Sequence, residues 1–441
     1  MTDTATRDVT AEVTAWLEEN WDPDITVGEW WERLGTSGWG APTLPTNAYG
    51  KGLSRPDAMR ISAELGKVGA LGPPAGLGLL LAAPTIATHG TQEQIDLYVR
   101  EIVTGQKGWC QLFSEPGAGS DLAGLSTKAV EVDGGEFVIN GQKVWTSGGN
   151  MADMGMLLAR TDPTVPKHQG ITWFAFNMLQ PGVDVRPLRE MTGHAMFSEV
   201  FFSDARVSKD AIINGINNGW QAANTTLAFE RAGLGAGGGG GGGAGGFAAP
   251  GTKMGHLDKR VGDFVPKNAG EQPKRGRNGG RQRMSGAALF VGLAKGNGKW
   301  SNPVVRQKLA NLHILGEIGR LNGERHKATR ATGGDIPGMA NISKLLMSEI
   351  VRQSRDIGLQ LIGPQGLLAA QTPEEQKVID EATGNPFHGG IIGQALMAQA
   401  PPIYGGTDQI QLNVIGERVL GLPKDIRDDH VKPFNEVPHN G

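Results

Sequence analysis

Cysteine is almost missing from the chain: Cys110 is the only one in 441 residues. No intrachain disulfide can therefore form, and a metal site built from paired thiolates is excluded. A reducing, cytoplasmic setting is the expectation, with no metal. An excess of one charge is missing too. Forty-two Lys and Arg stand against 45 Asp and Glu, a net of −3, so nothing global draws the chain to nucleic acid. No apolar run reaches the roughly 18–20 residues of a membrane span, and the longest, at residues 75–83, reads as a buried helix. The first eight residues carry neither an apolar core nor a cleavage pattern. Ser114 and Ser120 lie in no Gly-x-Ser-x-Gly elbow, which leaves a hydrolase unsupported. No Gly-Lys-Ser/Thr follows the long glycine run, so that run is no nucleotide loop.

What the chain has in quantity is length and glycine. Its 441 residues suffice for two or three packed domains, and many of its 68 glycines fall in one block. Residues 235–246 are almost pure glycine, and 248–285 are rich in Gly, Pro, Lys and Arg. Such a composition buries too little apolar surface to offset its ordering entropy, so 235–286 reads as a mostly disordered insertion. Within it, the spacing of Leu257, Val261, Phe264 and Val265 fits a short helix face over 256–265. Nine Lys/Arg against three Asp/Glu between Lys253 and Arg283 read first as a solvated charge run, with docking of an anionic partner as the alternative.

Before the insertion the period changes once. Residues 10–104 read as helices: 9–20 with Val13, Trp16 and Leu17 on one face, 27–34 carrying Trp30 and Trp31, and 56–68. Thr91 with Gln94 forms a capping-box pattern. Between Trp109 and Asn214 short alternating strands follow at 129–132, 136–140, 156–159, 172–177, 183–187 and 199–202. Asp133-Gly-Gly, Asn140-Gly141 and Pro181-Gly182 read as the turns between them. After 214 helices return at 220–231, 303–320, 342–362 and 409–419, enough for an antiparallel four-helix bundle.

The stretch Cys110-Gln-Leu-Phe-Ser-Glu-Pro-Gly-Ala-Gly-Ser-Asp121 organises the rest. Gly117 and Gly119 let a flat ligand come close to the main chain, and Ser114 and Ser120 can donate or accept. Alone, a Gly-rich turn mostly just reverses a chain. This one is followed by Asn140-Gly-Gln-Lys-Val-Trp-Thr-Ser147, Ile403-Tyr-Gly-Gly-Thr-Asp-Gln-Ile-Gln411 and Ile415-Gly-Glu-Arg-Val-Leu-Gly-Leu-Pro423. In that order and at those separations, from about Thr88 to Lys424, the pieces resemble the acyl-CoA dehydrogenase family of flavoenzymes.

The resemblance implies an α+β fold: a helical N-terminal domain (1–108), a middle β-barrel (109–214) and a C-terminal four-helix bundle (215–441) interrupted by the insertion. It implies FAD as cofactor, an acyl-CoA substrate, and α,β-desaturation of the thioester. An electron-transferring flavoprotein would take the electrons, and bundles would pair into a dimer of dimers, homo- or hetero-oligomeric. For the flavin it carries over Gln111, Phe113 and Ser114 along the isoalloxazine edge, and Gly119 and Ser120 at the phosphate side. Trp145 would lie against the ring and Ser147 bond to it, with Thr407 and Gln409 approaching from the bundle. Gln360 and Gly363 match a segment that reaches a neighbouring subunit's cofactor.

Three departures qualify it. Many family members carry the base as a Glu directly after the motif Tyr, where this chain has Gly405. Other branches carry it in a Glu-Arg pair after the barrel, and Phe229-Glu-Arg231 stands there, so Glu230 is the candidate base; a structural ion pair is the bland alternative. Gly405 keeps its backbone N–H for the thioester oxygen. Pro364 replaces a glycine and offers no N–H, and Lys299 stands where an Arg is usual, losing the bidentate fork. These departures also fit a second reading, a non-catalytic subunit completing a partner's site. A third reading, an oxidase or monooxygenase, differs only in oxygen reactivity. His194 and His313 have no partner at fixed spacing and read as structural or surface residues.

Overall fold

Asp8 opens the first helix by accepting from the N–H groups of Thr10 and Ala11, and the described residues up to 104 form helices joined by turns and loops. The computed structural model describes residues 8–235, 252–265, 286–425 and 428–438. Helix α1 (Val9–Asn20) buries Val9, Val13 and Leu17. Helix α2 (Val27–Thr36) starts at a capping box made by Thr26 and Glu29, and α3 is Arg55–Lys67. Trp30 and Trp31 are fully buried, and their indole N–H groups reach the carbonyls of Leu71 and Gly72 at 2.7 and 2.9 Å. Both are satisfied core residues. A wide turn at Gly78–Ala82 leads into α4 (Ala83–His89). The Thr91/Gln94 capping box starts α5 (Gln92–Gln94), which continues through Ile95–Val99 into α6 (Arg100–Val103).

Eight strands follow: β1 (Trp109–Leu112), β2 (Lys128–Val132), β3 (Glu136–Ser147), β4 (Met154–Arg160), β5 (Ile171–Asn177), β6 (Val183–Leu188), β7 (Phe197–Ser208) and β8 (Ile212–Ile213). They form one sheet in the order β6-β7-β3-β2-β4-β5-β8, with β1 parallel to β4. The sheet wraps over its own core. The Phe137 and Phe174 rings lie 5.5 Å apart and those of Phe176 and Phe202 5.2 Å apart, so β3 and β7 face β5.

Asn140-Gly141 is not a turn, contrary to the sequence reading. The register shifts between Ile139 and Gly141 and the strand runs on. Gly141 sits at φ +153°, where a Cβ would come within 2.6 Å of Thr127 Oγ1. The glycine marks a bulge and a close approach.

The segment 252–265 is also corrected. It forms no helix but two short 3₁₀ turns, Thr252–Met254 and Val261–Phe264, strapped across the N-terminal helices. Val27 and Gly28 donate backbone N–H to Lys259 and Leu257, while Val261 and Gly262 donate to Ile25 and Pro23. Val261 is fully buried in the core that holds Trp30 and Trp31, and Arg260 pairs with Asp24 at 2.5 Å. Apolar side chains spaced for a helix face are used here by a strap whose backbone bonds go to another element. The remainder of the glycine-rich block lies outside the described residues.

Among the described residues seven helices follow: α7 (Gly219–Gly235), α8 (Gly286–Gly296), α9 (Pro303–Ala331), α10 (Met339–Ile362), α11 (Pro373–Thr383), α12 (His388–Met397) and α13 (Asp408–Val414). Helix α10 is central and packs against α7, α8, α9, α12 and α13. Phe290, Val305, Leu309, Ile357 and Leu361 fill the core between α8, α9 and α10. Residues 428–438 return to the sheet, where the Phe434 ring lies 3.5 Å from the Arg160 guanidinium.

Candidate active site

Strand β1, paired with β4, runs into the glycine loop, and its Gln111 reaches α7. The loop turns through reciprocal bonds between Glu115 and Ala118, N–H to O at 3.0 and 3.1 Å. Gly119 and Ser120 are exposed, Ser114 is half-buried and Phe113 is buried. A Cβ at Gly117 or Gly119 would meet nothing within 4 Å, so the loop borders open space.

Beneath it lies a buried ion pair that the sequence reading missed. Lys143 is fully buried and donates to Glu115 Oε1 at 2.8 Å and to the Phe113 carbonyl at 2.9 Å. Glu115 also accepts from the Ser126 N–H and hydroxyl and from the Thr127 N–H. Burial works to raise the Glu115 carboxyl, but the Lys143 charge and these donors outweigh it and hold it down at about 2. Burial lowers the Lys143 ammonium. Both residues stand inside the quoted motifs, and their opposite charges were the available signal. Cys110 beside them is buried and its thiol is pushed up by desolvation to about 12, which makes it an inert packing residue.

A second irregularity of β3 lies between Lys143 and Thr146 and presents Trp145. Its φ is +60° and its side chain is 56% exposed, with one edge supported by Phe197 at 5.7 Å. A bulge re-aims a side chain in this way, here leaving an indole face free beside half-buried Ser147.

Glu230 is half-buried near the C-terminal end of α7. Gln111 Nε2 donates to its Oε2 at 3.3 Å. Desolvation raises the Glu230 carboxyl above the usual carboxylate range, and the Gln111 donor and the Arg231 charge pull it only partly back. A carboxyl so placed is a stronger base than one in water.

The loop before α13 is built on two left-handed glycines, Gly405 at φ +63° and Gly406 at +81°. The Gly405 N–H donates to nothing among the described residues. The two carbonyls accept from Gln411 Nε2 at 3.0 and 3.2 Å, and Asn341 donates to Gln411 Oε1 at 2.6 Å. Gln411 stood in the quoted motif without a role, and Asn341 had no signal in sequence. Thr407 is the N-cap of α13, accepting from the Ile410 N–H, and Gln409 is exposed. Asp408 turns away into α10, bonded to Lys344, Ser348 and Arg352.

Gln360 and Gly363 end α10. Lys299 donates to the Gln360 carbonyl at 2.8 Å and Lys308 to its side-chain oxygen at 2.7 Å. Gly363 has φ +62°, and a Cβ there would lie 3.5 Å from Lys299 Nζ. The structure thus brings together Gln111 with Glu230, and Lys299 with Gln360 and Gly363. His194 and His313 are exposed. Among the described residues no group of three or more His, Cys, Asp or Glu could hold a metal ion.

Three family models match the chain: acyl-CoA dehydrogenase N-terminal domain over 1–106, middle domain over 110–205 and C-terminal domain over 293–420. Acyl-CoA dehydrogenase FadE34 of Mycobacterium tuberculosis is 37% identical over 391 residues, 89% of this chain and 46% of that protein. The chain thus spans about half the length of FadE34. Acyl-CoA dehydrogenase IpdE1 of the same organism is 30% identical over 403 residues, 90% of this chain and 88% of that one. The solved Tcur3481-Tcur3483 steroid ACAD has the same fold, with a TM-score of 0.65 and 24% identity, covering 95% of this chain and 97% of that one.

Proposed function

The chain belongs to the acyl-CoA dehydrogenase family of FAD-dependent oxidoreductases, and from that premise we propose that it desaturates an acyl-CoA thioester with Glu230 as the base. The observation that carries this is the Gln111–Glu230 contact on a half-buried carboxyl whose proton affinity burial has raised. Glu230 stands on α7, so a base is available although Gly405 has no side chain.

FAD, when bound, supplies the acceptor for the hydride that leaves the β-carbon. The residues fit such a group: open space around Gly117 and Gly119, a free indole face at Trp145, and hydroxyls at Ser114, Ser120 and Ser147. Phe113, Thr407 and Gln409 complete the set expected to hold it, with Gln360 and Gly363 serving a neighbouring subunit. Gln111 holds Glu230 Oε2, leaving Oε1 to accept the α-proton. The Gly405 N–H donates to the thioester oxygen as enolate charge develops, in the manner of an oxyanion hole. Lys299 keeps a positive charge close to Gly363 where the family has Arg.

Electrons pass on to an electron-transferring flavoprotein, and the setting is the cytoplasm. No helix among the described residues is long and apolar enough to cross a membrane. The subunits assemble as an oligomer. A pair of unlike units is supported by FadE34, which has length for two units of this size, and by the Tcur3481-Tcur3483 relative, whose name joins two components. In such a pair Gly405, Pro364 and Lys299 would favour the second reading, a subunit that completes its partner's site.

The test is colour. Purified with FAD, the chain is expected to be yellow and to bleach with one member of an acyl-CoA panel, and Glu230→Gln to stay yellow without bleaching. A chain that stays colourless until a partner is added supports the second reading. Normal bleaching by Glu230→Gln overturns the base.

A further inference from the structure

Helix α7 carries Glu230 at one end and is tied to α4 by hydroxyls in its middle. Thr226 is one turn before Glu230, so the two side chains share a face of the helix. Thr226 and Thr85 of α4 are both fully buried, and their Oγ1 atoms are 2.9 Å apart. Each hydroxyl also reaches the carbonyl four residues back: Thr85 to Leu81 at 2.7 Å, Thr226 to Ala222 at 3.0 Å. One residue earlier on α7, Thr225 Oγ1 meets His89 Nε2 of α4 at 2.8 Å.

Two hydroxyls have two protons for three contacts. When one threonine donates across to the other, its own i−4 carbonyl loses that extra donor; the second threonine still serves its own. A donation across adds a bond at the accepting hydroxyl, which can still donate to its own carbonyl, and it holds the two oxygens at hydrogen-bonding distance. An apolar contact would let α7 slide by a few tenths of an ångström. A short oxygen–oxygen contact does not, since its geometry is narrow. The carbonyl that Thr85 reaches, Leu81, belongs to the wide turn Gly78–Ala82, so the tie reaches past α4 into that irregular segment.

We propose that the Thr85–Thr226 hydroxyl pair, backed by His89–Thr225, locks the register of α7 against α4 and makes Thr226 a positioning residue for the Glu230 carboxylate. The lock acts along the helix. It fixes how deeply Glu230 sits, and therefore how much water reaches the carboxyl. This rests on Glu230 being the base only for its consequence in catalysis; the register lock itself is testable without substrate.

The experiment is an infrared titration of the Glu230 carboxyl in the FAD-loaded full chain, with Glu230→Gln identifying the band. Thr226→Val keeps the shape and removes the hydroxyl. It is expected to move the midpoint down toward the ordinary carboxylate range by about half a unit or more, and Thr226→Ser to restore it. The double variant Thr85→Val/Thr226→Val leaves no unpaired hydroxyl and keeps the packing, so it guards against loss of fold; it is expected to move the midpoint as Thr226→Val does. A wild-type midpoint in the folded double variant overturns the lock. Failure of the base assignment shows separately, as bleaching that survives Glu230→Gln while the midpoint still moves.

Discussion

Gln111 and Glu230, 119 residues apart in sequence, meet at 3.3 Å between β1 and the last turns of α7. A neutral donor is thereby fixed on a carboxylate that burial would otherwise drive further toward its protonated form. Glu230 accepts a proton only when ionised, so flavin reduction should rise with pH through a midpoint above the ordinary carboxylate range. Gln111→Leu removes a donor that favours the ionised form, and the rising limb should move to higher pH by about half a unit to one unit. Stopped-flow bleaching across pH measures it; a limb that stays in place or moves down would count against the contact.

Glu230→Gln should lower the rate of flavin reduction by about 10²–10⁴-fold, the usual contribution of a positioned base. Its flavin absorbance should match wild type.

Gly405→Glu in the Glu230→Gln background should not recover the lost rate, although a Glu at that position serves other family members. The residue sits at φ +63°, where an L side chain costs about 1–2 kcal/mol. Recovery to within tenfold of wild type would show that the loop accommodates the family's other arrangement.

Gln411→Leu removes the donor to both the Gly405 and Gly406 carbonyls. The loop should loosen at a cost of about 1–3 kcal/mol, raising KM for acyl-CoA several-fold while the pH limb set by Glu230 stays put. Steady-state kinetics at several pH values separates the two effects.

Lys143→Met should be the most destabilising of these changes, by about 3–5 kcal/mol, because it strands a buried carboxylate. Glu115→Gln/Lys143→Met should cost less. In wild type the Glu115 carboxyl is held at about 2. Its contribution is complete above the unfolded carboxylate range and is lost as pH falls toward 2. Without Lys143, burial acts unopposed by that charge, so acid unfolding should begin at higher pH. Urea denaturation between pH 3 and 7 checks both points.

Local physics made most of the fold legible. The capping box at Thr91 and the spacing of Val13 and Leu17 point to helices where the structure has them, because those signals lie within one or two turns. Strand β1 was missed because its four residues read as the beginning of the motif loop. Gly141 misled because a glycine after an asparagine serves a turn or a bulge equally well, and only Thr127 packed against it decides. At the site, Gln111 came from family resemblance as a flavin contact, while its bond to Glu230 depends on how α7 crosses β1. Lys143, between Gln142 and Val144, drew no reading of its own. Its burial follows from strand register, which no local pattern carries.

The strap has a practical side for anyone wishing to shorten this protein. Cutting out residues 235–286 as a featureless spacer would pull Val261 from among the tryptophans, strip α2 of the two acceptors for its first N–H groups, and uncover Trp31. A shortened version that keeps 252–265 on new connectors should melt like the parent. One that discards it should yield an N-terminal half that is sticky and easily digested.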